Sequence, residues 1–333
     1  MRLLRAPAAS ALAFAVALTC GGCRGQADAD ARERAFAAGR DPASAAFDFE
    51  KPLAALAIPA EDAASRLGSF AWEAKVSWSA AKPGASAVRA TEHHRVRQLA
   101  SGEFEAEADL DPGTGPGAET GKQVVFTGGV TYAHAKWAPF RERPADRGRD
   151  ARRFRDDSFG AAAAVAALLG PSLRATPAGE ATVLGRSARR YALSFAAAPP
   201  SAPPMPPEGL PDGGYDADTR RHLDFLDGRL PTAAQGQLVL DARSGVPLAV
   251  ELTAAFAQRS DPQLEVKVEL SAAMTTLGSR VAAVAAPKGA LPDDRKPKGV
   301  ARALEAAGLA KRRAPAAEDG GEDEERGDDA PAE

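Results

Sequence analysis

The sequence predicts a mainly β protein of the α+β class, in which strands form an antiparallel sheet with one polar face and a few short helices lie beside it. Three observations indicate this fold. Apolar and polar residues alternate with a period of two over several short segments, the connections between them are rich in turn residues, and the helical patterns are few and short. Neighbouring strands joined by short turns pair antiparallel, and such a sheet can expose one face to water.

The N-terminus resembles the signal peptide of bacterial lipoproteins. A short positively charged start is followed by an apolar run over residues 6–18, and then by Gly21, Gly22 and Cys23. In the lipoproteins that carry this lipobox, the peptide is cut before the cysteine and a diacylglycerol is attached to its sulfur. Cys23 is therefore the expected lipidation site, and Cys20 is the alternative acceptor. An ordinary secreted protein and an uncleaved anchor remain alternatives, although a spanning helix needs about 20 apolar residues, more than this run holds.

Strands and helices are expected in the following order. Residues 1–23 are the signal peptide, residues 24–58 form a tether, and residues 59–67 form a short helix that Gly68 ends. Strands are predicted from Gly68 onwards at 70–78, 88–99, 104–110, 238–240, 246–252 and 264–270, with hairpins at 124–137 and 183–195.

Helices and loops interrupt these strands. Helices are predicted at 157–169 and 218–226, and the arginine-rich segment 141–155 is expected to be a solvated loop, with lipid phosphates or an acidic partner as its alternative contacts. The segment 196–214 contains seven prolines, which predicts an extended insertion within a β domain that spans 59–285. A C-terminal extension with a short helix follows at 286–313, and then a disordered acidic tail at 314–333.

Cysteine use and charge exclude several functions. Both cysteines lie at positions 20 and 23, so the later residues have no disulfide, no thiol nucleophile and no cysteine-based zinc site. Nine acidic residues lie in 315–333, and the chain as a whole carries a net charge of −3, which leaves a near-neutral body. This balance favours no nucleic-acid partner.

Histidines are the remaining candidates for catalysis or metal binding. His93 and His94 are consecutive in a predicted strand, so their side chains point to opposite faces. His134 lies in the next hairpin, where it could form a two-histidine site with one of them, although solvated strand histidines are the favoured interpretation; His222 has no partner at metal spacing. Nucleophile-elbow and phosphate-cradling motifs are also missing from the sequence. We therefore expect a protein that is not an enzyme and that uses no cofactor or metal.

One predicted strand carries large apolar side chains on a single face. Phe70, Trp72, Val76 and Trp78 alternate with polar or small residues, and Trp137 is expected to add to the same surface. Two interpretations are open. The five side chains either form an ordinary core under a covering helix, or they line an apolar cavity that holds an acyl chain. The alanine-rich segment 161–167 would supply small covering side chains in both cases.

Two segments resemble the LolA/LolB-like superfamily of periplasmic lipoprotein carriers and lipid-binding lipoproteins. They are Leu238-Val-Leu-Asp-Ala-Arg-Ser-Gly-Val-Pro-Leu248 and Ala181-Thr-Val-Leu-Gly-Arg-Ser-Ala-Arg-Arg-Tyr191. The resemblance covers 60–285 and implies a curved antiparallel sheet or incomplete barrel, closed by a few covering helices around an apolar cavity for acyl chains. The proline-rich insertion and the acidic tail are departures from the usual members, and a lipid anchor is a feature of the membrane-fixed receptor members.

These observations together give an expected function. The chain is expected to be a bacterial lipoprotein of the cell envelope, anchored in membrane lipid and facing the periplasm, with the outer membrane favoured over the inner. Its half-barrel would bind a lipid, or the acyl chain of another lipoprotein, without catalysis. The alternative is a structural or interaction lipoprotein with a filled core and no ligand.

Replacing Cys23 tests the predicted anchor. A covalently attached acyl pair supplies most of a lipoprotein's membrane affinity, so Cys23→Ala is expected to abolish lipidation and leave the protein uncleaved or soluble. Palmitate labelling and membrane fractionation measure both effects. Cys20→Ala is the matched control and should label like the wild type. A Cys23→Ala variant that still takes up palmitate would place the anchor at Cys20.

Overall fold

The structure, a computed structural model, describes residues 47–197 and 217–293, and eleven strands in these residues form one antiparallel sheet. The strands are β1 (Phe70–Ala81), β2 (Val88–Gln98), β3 (Phe104–Asp111), β4 (Thr120–Thr127), β5 (Val130–Ala135), β6 (Arg141–Glu142), β7 (Leu173–Val183), β8 (Arg186–Phe195), β9 (Arg229–Asp241), β10 (Pro247–Gln258) and β11 (Asp261–Leu277). Their order across the curved sheet is β6-β5-β4-β3-β2-β1-β11-β10-β9-β8-β7. The first and last strands, β6 and β7, are its two edges, so the sheet is not closed, and the predicted mainly β fold is confirmed.

Four α-helices accompany the sheet in the described residues: α1 (Ala60–Leu67), α2 (Arg149–Phe159), α3 (Ala161–Leu169) and α4 (Ala217–Gly228). Short 3-10 segments lie at Pro52–Ala57, Pro144–Asp146, Gly170–Ser172 and Gly278–Arg280. The helix predicted at 59–67 is α1, which ends at Gly68 with a φ of 81°. The helix predicted at 157–169 is in fact two helices, because Gly160 separates α2 from α3.

The solvated loop expected at 141–155 is wrong for the last seven residues of that segment. Arg149 to Arg155 belong to α2, and Ala151 and Arg155 on its inner side are buried. The predicted lipidation cysteines, residues 24–46 of the tether, residues 198–216 and everything from 294 onwards lie outside the described residues.

Tight turns join the strands where the sequence predicts hairpins. Gly128 and Gly129 connect β4 to β5 with φ values of 56° and 76°, a pair of positive values that a type I′ turn requires and that glycine adopts without strain. Leu184 and Gly185 connect β7 to β8 with φ values of 52° and 79°. Each predicted turn therefore joins two antiparallel neighbours.

Besides the two-residue strand β6, two strand segments were not predicted. β7 begins at Leu173 and contains Pro177, which interrupts its pairing with β8 by a register shift. As an edge strand it tolerates a proline that would break a central strand. β9 begins at Arg229, well before the predicted 238–240, because Pro231 and the residues after it pair with β10 although their sequence does not alternate.

The sheet has one apolar face, the inner face, on which the helices lie. Every second residue of β1 from Phe70 to Trp78 is buried, whereas Glu73 and Lys75 between them are exposed. The same alternation continues on β10 and β11, and the buried residues of these strands belong to one hydrophobic cluster. α2 packs on β1–β4, and α3 packs on β1, β9 and β11. In the described residues, no helix combines the length and the hydropathy that a membrane crossing requires.

Arg155 fastens α2 to its neighbours. Its side chain is about 2% exposed, and Nη1 donates to Gln98 Oε1 of β2 at 2.9 Å. Nε and Nη2 contact Asp156 Oδ1 at 3.1 and 3.0 Å, and the guanidinium lies 4.7 Å from the centre of the Phe104 ring. Asp156 Oδ1 also accepts from the backbone N–H of Ala60 at the start of α1. A single buried cation thus connects two helices and two strands.

Arg155→Met tests this connection. The variant loses charge-assisted hydrogen bonds and a cation–π contact and leaves Gln98 Oε1 without a donor, so the free energy of unfolding should fall by about 2–4 kcal/mol. Urea unfolding of the two proteins measures the difference. Arg149→Met on the same helix is the control, because Arg149 is exposed, and it should change stability by less than about 0.5 kcal/mol. Equal effects of the two substitutions would contradict a fastening role for Arg155.

Candidate functional site

The structure brings four of the five predicted cavity residues together on the inner face of β1. Phe70, Trp72, Val76 and Trp78 are each at most 9% exposed and belong to the main hydrophobic cluster. Trp137 does not join them, because it follows β5 with a φ of 70° and is 78% exposed. The inner face of β1 is therefore the place where an apolar ligand site has to be sought.

Helices α2 and α3 cover this part of the sheet. The Phe159 ring at the end of α2 lies 5.1 Å from Trp72 and 5.3 Å from Phe70, between ring centres. All nine residues of α3 are alanine, valine or leucine. Ala161 and Val165 face the core, whereas Ala164 and Ala167 are exposed. The predicted alanine-rich covering helix is thus present, and it is apolar on both its inner and its outer side.

A buried polar group lies in the middle of this apolar surface. Four side chains of β1 and β2 form it, here named the β1–β2 polar cluster: Trp72, Trp78, Glu92 and His94. Trp78 Nε1 donates to Glu92 Oε1 at 2.8 Å, and His94 Nε2 lies 3.3 Å from Glu92 Oε2. Trp72 Nε1 and His94 Nδ1 are buried and have no hydrogen-bond partner among residues 47–197 and 217–293. Two polar atoms in the interior are therefore free to bind another molecule.

Sequence reasoning missed this cluster because it treated β2 as a polar, solvated strand. His93 is exposed and His94 is 1% exposed, so their prediction on opposite faces is confirmed, but the expectation of solvated strand histidines is wrong for His94. The signal was the alternation of residues along β2, which puts Glu92 and His94 on the same inner face as Ala90 and Val96. A polar residue on the face of a strand that otherwise carries apolar residues marks a buried polar site.

The histidines do not form a metal site in the described part of the chain. His134 lies on β5, three strands from β2, which is a separation of about 14 Å at the usual strand spacing. It contacts Gln123 Oε1 at 2.9 Å and the Phe140 ring at 4.1 Å. Among the described residues, no group of three or more His, Cys, Asp or Glu side chains is placed to hold a metal ion. The two-histidine site considered from the sequence therefore has no geometric basis.

Asp157 is a second charged group near the inner face. Burial on α2 raises the pKa of its carboxyl to about 6, and the negative charge of Asp156 acts in the same direction. The positive charges of Arg153 and Lys122 oppose this shift. The carboxyl is thus partly protonated in mildly acidic solution, where an exposed aspartate would be ionised.

A groove of about 650 Å³ lies on the opposite, polar face of the sheet. It crosses β1, β11, β10 and β9, and its polar side chains are those of Lys75, Ser77, Gln235, Glu251, Thr253, Glu269 and Ser271. The five predicted cavity residues do not contribute to it. An acyl chain would find few apolar side chains there, so this groove is not the predicted ligand site.

Comparison with known proteins gives no family assignment, because no family and no curated protein matches the chain. A LolA superfamily protein from Nitrosomonas europaea matches with a TM-score of 0.20 and 9% identity, over 71% of this chain and 97% of that chain. A DUF1329 family protein from Desulfovibrio piger matches with a TM-score of 0.21 and 9% identity, over 68% and 93%. A candidate outer membrane lipoprotein-sorting domain from Vibrio parahaemolyticus matches with a TM-score of 0.18 and 10% identity, over 62% of this chain and 86% of that chain.

The first of these structures belongs to the superfamily that two segments of the sequence resemble. At such low TM-scores the likeness carries no argument about function. The function therefore has to be argued from the side chains of this chain.

Asp157→Asn tests the buried carboxyl through its pH dependence. Because the folded-state pKa of about 6 lies above the usual value, Asp157 favours folding below pH 4, and that contribution is lost as the pH rises to 6. The asparagine variant should therefore match the wild type at pH 4 and exceed it at pH 7, by about 1 kcal/mol after allowance for solvent screening. Urea unfolding at both pH values measures this.

Glu73→Gln is the control for this experiment, because Glu73 is exposed on the outer face of β1. It should keep the pH dependence of the wild type. Equal stability of wild type and Asp157→Asn at pH 7 would show that the Asp157 carboxyl is not buried as described.

Proposed function

We propose that this protein is a non-catalytic, lipid-binding lipoprotein of the bacterial cell envelope, which binds an acyl chain on the inner face of its sheet when the covering helices move aside. The observation that carries the proposal is the composition of α3. All nine of its residues are apolar, yet Ala164 and Ala167 are exposed. A surface helix of a soluble protein normally carries polar residues on its outer side, and an apolar outer side favours contact with an apolar partner.

The construction of the inner face supports a movable cover. Since the edge strands β6 and β7 do not pair with each other, helices rather than strands close the apolar face. Lifting a helix from a sheet breaks side-chain contacts and leaves the backbone hydrogen bonds of the strands intact. Ala161 and Ala162, two of the buried residues of α3, each bury only a methyl group, so their contribution to holding the helix down is small.

The proposed anchor would keep this site close to its ligand. A diacylglycerol on Cys23, or on Cys20 as the alternative, would hold the domain at a membrane surface facing the periplasm, with the outer membrane favoured. The ligand would then be a membrane lipid or the acyl chain of another lipoprotein. An anchored chain needs no catalytic group for this role, and the proposal includes none.

A second candidate function is a structural or interaction lipoprotein whose core is filled. The contact that favours it is the edge-on packing of Phe159 against Trp72, with 5.1 Å between ring centres. Aromatic pairs at this distance stabilise a core beyond the burial of their area. Ligand binding separates the two functions, because only the lipid-binding function requires Phe159 and α3 to move away from the sheet.

Tryptophan fluorescence provides the test. The chain has three tryptophans, and Trp137→Phe removes the exposed one, so that Trp72 and Trp78 dominate the emission. Adding hexadecanoic acid or hexadecylphosphocholine to this variant should quench or blue-shift the emission. A bound lipid should also stabilise the fold, by about 2.7 kcal/mol at a free concentration about 100 times the Kd.

Trp78→Ala in the same background is the matched variant. It should weaken lipid binding and cost less than the ~3–5 kcal/mol that is typical of a tightly packed core tryptophan. If added lipid does not change the tryptophan emission and Trp78→Ala unfolds the domain, the inner face is a filled core and the second candidate function holds.

A further inference from the structure

We propose that the β1–β2 polar cluster binds the carboxyl group of a long-chain carboxylic acid, so that the acyl ligand is a fatty acid and not a phosphodiester lipid. This inference rests on the proposed function, which it makes specific. It starts from two buried polar atoms, Trp72 Nε1 and His94 Nδ1, that have no partner in the part of the chain that the structure describes. Unpaired polar atoms in a protein interior are rare because they cost free energy, and two on the same surface indicate a missing polar group.

The strand register places these two atoms on one surface. Ala74 of β1 is the partner of His94, and Trp72 is the partner of Val96, so Trp72 and His94 are diagonal neighbours on the inner face. Such neighbours have Cβ atoms about 7–8 Å apart, within reach of long side chains. A small group placed between the two rings can therefore contact both.

Small residues lie next to His94 on the neighbouring strands. The strands on either side of it contribute Ala74 and Ala108, and β11 contributes Ala272 beside Ala74. All three lie on the inner face as methyl side chains. His94 thus projects from a row of small residues, bordered on its own face by Trp72 and Val76.

Glu92 sets which nitrogen of His94 carries a proton. One oxygen of its carboxylate accepts from Trp78 Nε1, and the other lies beside His94 Nε2. A carboxylate only accepts hydrogen bonds, so Nε2 is the protonated nitrogen and Nδ1 of the neutral ring is an acceptor. The cluster therefore offers one donor, Trp72 Nε1–H, and one acceptor, His94 Nδ1.

A carboxyl group matches this pair. Its hydroxyl donates to His94 Nδ1, and its carbonyl oxygen accepts from Trp72 Nε1–H. A phosphodiester has no proton to donate and would bring a permanent negative charge next to Glu92. An alcohol has a single oxygen, which would have to reach both rings.

Three ligands with the same chain test the proposal: hexadecanoic acid, hexadecanol and hexadecylphosphocholine. Calorimetry on the full chain in detergent-free buffer should show the acid binding at least about ten-fold tighter than either of the others. Trp72→Phe, which removes the indole N–H and keeps an aromatic ring, and His94→Leu should each weaken binding of the acid by about ten-fold and leave the alcohol nearly unchanged. His93→Leu is the matched control, because it changes the adjacent histidine on the exposed face.

The possible outcomes separate this inference from the proposed function. If acid and alcohol bind equally well and the variants change neither, the carboxyl site is wrong while acyl binding stands. If none of the three ligands binds, both are wrong. If either variant fails to fold, the wild type decides: hexadecanoic acid labelled with carbon-13 at its carboxyl should show a contact with the Trp72 indole proton by NMR, and its absence would overturn the site.

Discussion

An open sheet with one apolar face cannot stand alone in water, and the rest of this structure follows from that constraint. The buried side chains of β1, β10 and β11 lie on one surface of the eleven-stranded sheet, and its edge strands β6 and β7 do not pair with each other. Closure by strand pairing would have sealed this surface permanently. Helices close it instead, and a helical cover is attached by side chains alone. How firmly the helices hold decides whether the inner face is a core or a binding site.

The cover is not uniform. α2 is fastened by Arg155, whose guanidinium reaches Gln98 on β2 and packs over Phe104, and by Phe159 against Trp72. α3 carries only small or aliphatic side chains, and Arg229 of β9 donates from Nε to the backbone carbonyl of Leu168 near its C-terminal end at 3.0 Å. The β1–β2 polar cluster lies on the inner face of β1 and β2, two strands on which α2 packs.

Strands with strict alternation were predictable from the sequence, whereas strands that depend on their partners were not. The pattern of β1 and the glycine pair after β4 each follow from a local rule, and both predictions hold. β7 and the start of β9 contain prolines and little alternation, and they are strands only because β8 and β10 pair with them. The residues of the candidate site divide in the same way into those that a local pattern predicts and those that it does not. Phe70 to Trp78 could be assigned to one face, but Trp137 could not be placed, since a turn after β5 turns it outward. Glu92, His94 and Arg155 looked solvated because charged residues usually are.

Native mass spectrometry of the untagged protein, purified without added lipid or detergent, tests most directly whether the inner face is a binding site. A site that opens for acyl chains should retain a ligand from the cell, so a bound species with the mass of a fatty acid or another lipid is expected. Collisional heating should release it, and thin-layer or mass analysis of the released molecule should identify an acyl chain. A single peak at the mass of the ligand-free chain, unchanged after incubation with hexadecanoic acid, would contradict lipid binding and leave a filled core.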